Sequence, residues 1–274
     1  MAGEIFQGLT LIKMGAAVLI VLGLTLIAEH AGPRFAGIFS GYPLGSAICL
    51  FFYGLEISPE FASQSAVFAL VGLSATASFA FGYRWGAEAL KKAPKAWSML
   101  AASVGGMACY FAVASVLAEI HWNMPGAAAA ALVALVFFNR ISRKIENKKI
   151  ENKKPLGPGI MALRALAAAV IIIAVTTAAK FLPPGWAGVL AAFPMALYPF
   201  LLVIHFTYER DHVSTIVKNV PRGLVCLIIY ASTVWWTYPR HGLVLGTLEG
   251  YLGATIYLAL VNLAVLGKRK APAA

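Results

Sequence analysis

Apolar runs long enough to cross about 30 Å of hydrocarbon recur along the whole chain and leave only short connections between them. They cover approximately residues 9–28, 34–55, 62–83, 97–119, 124–138, 159–181, 186–206, 217–236 and 243–266. Such patterning leaves no length for a separate soluble domain, so the expected fold class is an all-α polytopic membrane protein of about nine transmembrane helices. Composition bears this out: 60% of the residues are hydrophobic and only 12% charged, where soluble domains carry about 25%. Cys49, Cys109 and Cys226 each lie singly inside an apolar run and read as small packing residues, so no metal or redox cofactor is expected.

The net charge of +11 reports orientation before it reports a partner. Assigned to alternate loops, 18 Lys and Arg residues fall on one side and 3, Lys13, Lys180 and Arg240, on the other. The positive-inside rule then places the C-terminus in the cytoplasm and, with nine spans, the N-terminus outside. All six tryptophans fall at span ends, as headgroup-level anchors do. The expected location is a bacterial inner membrane, with the lipid bilayer as partner. Nucleic-acid binding is not expected, because no solvated basic face with interleaved aromatics exists.

A shift of the chain against itself by 151 residues pairs Pro33 with Pro184, Ala36-Gly37 with Ala187-Gly188, and Pro43 with Pro194. The same shift pairs Ser63 with Ser214 and Gly72-Leu73 with Gly223-Leu224. Matched Pro and Gly carry weight because each imposes a backbone state that few residues replace. Five crossings separate equivalent points, and an odd number reverses direction. The reading is therefore two inverted-topology repeats, residues 1–139 with spans one to five and residues 159–274 with spans six to nine. A basic cytoplasmic linker, 140–158, joins them.

Pro43 and Pro194 each fall near the middle of a span, where proline removes a backbone donor and clashes with the carbonyl four residues earlier. Backbone groups freed at that depth cannot face lipid. Two breaks related by an inverted repeat are expected to meet near the midplane, where transporters of this architecture bind substrate. The candidate substrate-binding residues are Ser40, Tyr42, Pro43, Ser46, Phe193, Pro194 and Tyr198. The alternative is that the prolines are ordinary kinks and the small residues beside them serve helix packing.

Glu249 lies about two turns inside the ninth span, where an unpaired carboxylate costs about 3 kcal/mol on insertion scales. It is the first candidate for proton coupling, and His205, near the end of span seven, is the second. Arg34 and Lys180 precede the two broken spans and are candidates for charge steering. No metal-binding spacing, phosphate-cradling loop or pair of carboxylates at one depth is present, so enzymatic activity is not expected.

The pattern Ala187-Gly188 to Phe193-Pro194 followed by Glu209-Arg210, with a looser copy at Ala36-Gly37 to Tyr42-Pro43, resembles the GlpM-like family of small bacterial inner-membrane proteins. The resemblance implies a small bacterial membrane unit, here present as two oppositely directed copies. The leading functional expectation is a secondary transporter moving a small molecule by alternating access, with Glu249 as its proton carrier. The alternatives are a lipid or lipid-linked sugar translocase and an accessory membrane subunit without transport activity.

Overall fold

The computed structural model describes residues 15, 19, 38, 41–146, 157–208 and 210–270, the side chains of 158, 161, 164, 210, 211 and 262–270 excepted. Among the described residues there is no strand. The helices are α1 (Leu44–Glu56), α2 (Pro59–Ala89), α3 (Lys95–Glu119), α4 (Met124–Ser142), α5 (Pro158–Ala178), α6 (Pro184–Ala191), α7 (Leu197–Thr207) and α8 (Arg210–Lys270). A single 3-10 turn, Ala179–Phe181, follows α5.

Local chemistry accounts for the boundaries. The Ser58 hydroxyl accepts from the Phe61 N–H at 3.1 Å, Pro59 occupies the first turn and Glu60 adds a favourable charge there, which fixes the start of α2 three residues before its apolar run. Asn123 caps α4 in the same manner through the Gly126 N–H at 2.8 Å. α8 runs for 61 residues but bends back at Gly242, whose φ of 79° lies in the left-handed region that glycine tolerates. It is two arms, 210–241 and 243–270, matching the eighth and ninth predicted spans.

Four helical segments are long and apolar enough to cross a membrane: Pro59–Ala89, Lys95–Glu119, Met124–Ser142 and His212–Val261. This is fewer than the nine expected crossings, for identifiable reasons. The first span and the start of the second lie outside the described residues, as does the central part of the basic linker. Of the sixth, the apolar stretch Ala165–Phe181 falls just short of a full crossing; the seventh is divided into α6 and α7, each shorter than a bilayer is thick, and the eighth and ninth are joined through Gly242.

α2 is the central post. Its most apolar stretch is 83% buried, against 22% for α3 and for α4. The outer helices turn apolar side chains away from the protein: Trp97, Leu100, Val104 and Phe111 on α3, and Leu245, Leu248, Leu252 and Leu260 on the second arm of α8. Continuous apolar strips of this kind are stable against lipid and not against water. Against α2 lies the first arm of α8, running antiparallel. The Ser63 hydroxyl, near the start of α2, donates to the Trp235 carbonyl at 2.7 Å. Arg84, near its end, donates to Ser214 at 3.2 Å.

Backbone contact between segments is closest where Gly223 of α8 meets the turn before α1. A Cβ on Gly223 would sit 1.9 Å from the Ile38 carbonyl oxygen, and one on Gly41 would sit 2.3 Å from the Gly223 carbonyl carbon. Because the obstacle is backbone, it cannot rotate aside. Gly223→Ala is expected to cost about 1–3 kcal/mol through overpacking, read as a lower Tm in detergent. Gly159→Ala, a helical position with open space around it, is expected to leave Tm unchanged or raise it slightly.

Candidate functional site

Among the described residues the chain is non-helical at both Pro43 and Pro194. At the first, Gly41 donates to the Ile38 carbonyl at 3.2 Å, the chain turns through Tyr42, and Pro43 stands as the N-cap of α1. At the second, α6 ends at Ala191, residues 192–196 are non-helical, and α7 begins at Leu197. Pro194 lies inside this gap. Pro199, in the first turn of α7, adds to the interruption because it has no N–H to return to the carbonyl of Met195.

The two breaks meet. Gly41, Tyr42, Gly45 and Ser46 on one side and residues 192–197 on the other line a single cavity of about 30 Å³, closed by Thr76 of α2 and by Leu224 and Leu227 of α8. That space suits one or two water-sized occupants. No charged side chain lines it among the described residues. Met195 fills the contact between the breaks: its side chain lies against Gly45, and the Cys49 thiol approaches its sulfur at 3.8 Å.

Carbonyls at and before the break in span seven receive hydroxyl donors from other helices. The Tyr53 hydroxyl of α1 donates to the Ala187 carbonyl at 3.0 Å. The Tyr110 hydroxyl of α3 donates to the Val189 carbonyl at 2.8 Å, and the Thr76 hydroxyl to the Ala192 carbonyl. Tyr53, Tyr110 and Thr76 are all buried. Sequence reasoning did not single them out. A hydroxyl in the middle of an apolar span is the signal they carry, and it is ambiguous because such a hydroxyl usually bonds within its own helix.

Contacts around the cavity repeat at the 151-residue shift. Gly72 packs on Val189 and Ala192, its Cβ position only 2.8 Å from the Ala192 methyl carbon. Gly223 packs on Ile38 and Gly41. Residues 72 and 223, 38 and 189, and 41 and 192 are equivalent under the shift. The two hydrogen bonds that align α2 with α8 obey it too, since 63 corresponds to 214 and 84 to 235.

Of the expected substrate-binding residues, Tyr42, Ser46, Phe193 and Pro194 line the cavity and Pro43 stands beside it. Ser40 and Arg34 lie outside the described residues. Aromatic chains lead away on both sides. Tyr42 stacks on Tyr251 with centroids 6.0 Å apart, and its hydroxyl lies 2.7 Å from that of Thr255. Phe193 packs edge-on against Tyr110 at 5.0 Å and against Phe79 at 6.2 Å. Tyr198 continues this second chain, 5.4 Å from Phe79 and 6.4 Å from Tyr83.

His205 is fully buried. The Tyr83 hydroxyl lies 3.2 Å from its Nδ1, and the Ser98 oxygen 3.3 Å from its Nε2. Ser98 donates its own proton to the Ala87 carbonyl at 3.2 Å, so its oxygen is placed to accept from Nε2–H; in the neutral tautomer that this defines, Nδ1 is the acceptor for the Tyr83 hydroxyl.

The remaining candidates stand away from the cavity. Glu249 is 43% exposed on the second arm of α8, where both its oxygens lie 3.0 Å from Nδ1 of His241. It is thus a paired carboxylate on the outer face of the fold, not an isolated one in its interior. Lys180 is ion-paired with Glu56 at 3.0 Å, so its charge is matched where it stands. Among the described residues no group of three or more His, Cys, Asp or Glu side chains is placed to hold a metal. No known protein family, curated protein or solved structure matches this chain.

Thr76→Val keeps the shape of the side chain and removes the donor to Ala192. Leaving that carbonyl unpaired in a buried site is expected to cost about 1–3 kcal/mol, seen as a reduced Tm. Thr233→Val, which removes a hydroxyl bonded only within its own helix at 2.9 Å, is expected to cost well under half as much.

Proposed function

We propose that the protein is a secondary transporter that moves a small molecule by alternating access between two inverted halves of an inner-membrane carrier. The observation that carries the reading is the convergence of two interrupted helices, one from each half, on one cavity. Support comes from the paired contacts at the 151-residue shift. An inverted repeat lets each half adopt the conformation of the other, which opens a central site to alternate sides. The basic loops set the orientation, with the C-terminus in the cytoplasm.

The size of the cavity bears on the cycle. About 30 Å³ admits little more than water, so a larger cargo requires the halves to part. Contacts positioned to act as latches bracket the site. At one end the Lys180–Glu56 pair ties the turn before α6 to the end of α1. At the other, Arg84 holds Ser214, and Lys95 donates to the Phe206 carbonyl at 2.7 Å.

Proton coupling fits His205 better than Glu249. His205 sits on the second half of a broken helix, bonded to both helices of the α2–α3 hairpin. Protonation would force Nδ1 from acceptor to donor and so reorganise the link between α7 and Tyr83. Glu249 has no such connection to the cavity.

In proteoliposomes, a Glu56→Cys, Lys180→Cys pair bridged by a short bifunctional thiol reagent is expected to stop substrate flux, with recovery on reduction. Full flux with complete bridging would count against alternating access. His205→Gln is expected to retain downhill flux and lose acceleration by a pH gradient; undiminished pH dependence would remove His205 from the coupling role.

A further inference from the structure

A count of the polar groups left open around the cavity points to the chemistry of its occupant. This deepens the carrier reading and rests on it. The N-terminal halves of α1 and α7 both start at the cavity, and neither has a side-chain cap. Each helix leaves early N–H groups without an intrahelical acceptor. In α1, Leu44 bonds to the Tyr42 carbonyl at 2.7 Å and Ala47 to that of Pro43 at 2.9 Å. The N–H groups of Gly45 and Ser46 make no hydrogen bond among the described residues. In α7, Tyr198 bonds to the Pro194 carbonyl at 2.8 Å, while the N–H groups of Ala196 and Leu197 make none. All four residues line the cavity.

A fifth donor is independent of the helix ends. Ser46 is 93% buried, its side chain belongs to a cavity-lining residue, and its hydroxyl makes no hydrogen bond among the described residues. On the acceptor side most positions are already taken. Thr76 holds the Ala192 carbonyl, and Phe193 accepts from Met195 at 2.7 Å. The Gly41 and Met195 carbonyls remain, the latter because Pro199 cannot donate to it. Open donors therefore outnumber open acceptors, and no acidic or basic side chain lines the site among the described residues.

We infer that the cavity binds the carboxylate of a small organic monoanion between the N-termini of α1 and α7, with Ser46 as a side-chain ligand. Each helix terminus carries the equivalent of about half a positive charge, so two together match one negative charge and not two. A carboxylate offers about four lone-pair directions, enough to take donors from both helices at once. A phosphate dianion would bring a second charge with no cation among the described lining residues to offset its desolvation. A cation would face the same helix ends with the wrong sign. The two open carbonyls suit a hydroxyl on the carbon next to the carboxylate.

The test uses the purified full chain in detergent and needs no flux. Sodium formate, acetate and lactate are compared with formamide, acetamide and lactamide by thermal shift, with ionic strength matched by sodium sulfate. At least one carboxylate is expected to raise Tm by several degrees while its amide does not, and Ser46→Ala is expected to weaken that carboxylate about tenfold, the loss of one hydrogen bond to a charged group. No shift from any carboxylate, or an equal shift from the matching amide, overturns the assignment. A second arm is free of ligand: Ser46→Asp places a carboxylate at the same helix end and is expected to be more stable than Ser46→Asn at neutral pH, whereas the reverse order overturns it. Failure here leaves the carrier reading standing. Carboxylate binding without flux in liposomes does the opposite.

Discussion

Every peptide group placed in hydrocarbon must find a hydrogen-bond partner inside the protein, and this requirement organises the interior of this chain. An unbroken helix meets it automatically. The turn before α1 and the gap between α6 and α7 do not, so their loose ends have to be gathered where other helices can serve them. Tyr53, Tyr110 and Thr76 are polar side chains on otherwise apolar helices, and each is directed at a carbonyl of the same interrupted helix. That break could not be displaced toward the lipid without abandoning those donors. The central location of the cavity is in this sense a consequence of backbone chemistry.

The surrounding helices show the complementary arrangement. α2 is buried because it seats the second break and lies along the first arm of α8, and glycine and alanine keep its surface low where other backbones approach. α3 and the second arm of α8 lie outside it and carry large apolar side chains outward. Polar function is thereby confined to the inner layer.

Much of this was legible from residue order. Pro43 and Pro194 announced the interruptions because proline has a fixed effect on a helix whatever surrounds it. Ser58, Pro59 and Glu60 announced the start of α2 for a similar local reason. Residues whose meaning depends on a distant partner were less legible. Glu249 read as an isolated intramembrane charge, but Gly242 folds the chain back so that His241 reaches it. His205 was placed only by its position near the end of a span, and its enclosure by α2 and α3 needed the fold. Thr76 gave no sign of its service to Ala192, 116 residues away. The matched pair Gly72 and Gly223 was visible as a repetition, whereas its use as a seat for the opposite break required three-dimensional contacts.

Those two seats are not identical. Where α8 crosses the first break, glycine meets glycine and main chain touches main chain; where α2 crosses the second, the methyl group of Ala192 stands between the rods. A machine whose halves trade roles would idle evenly only if both joints were equally deep. One carbon atom makes them unequal, so in the carrier we propose the resting balance of the cycle is tilted toward one side before any cargo arrives.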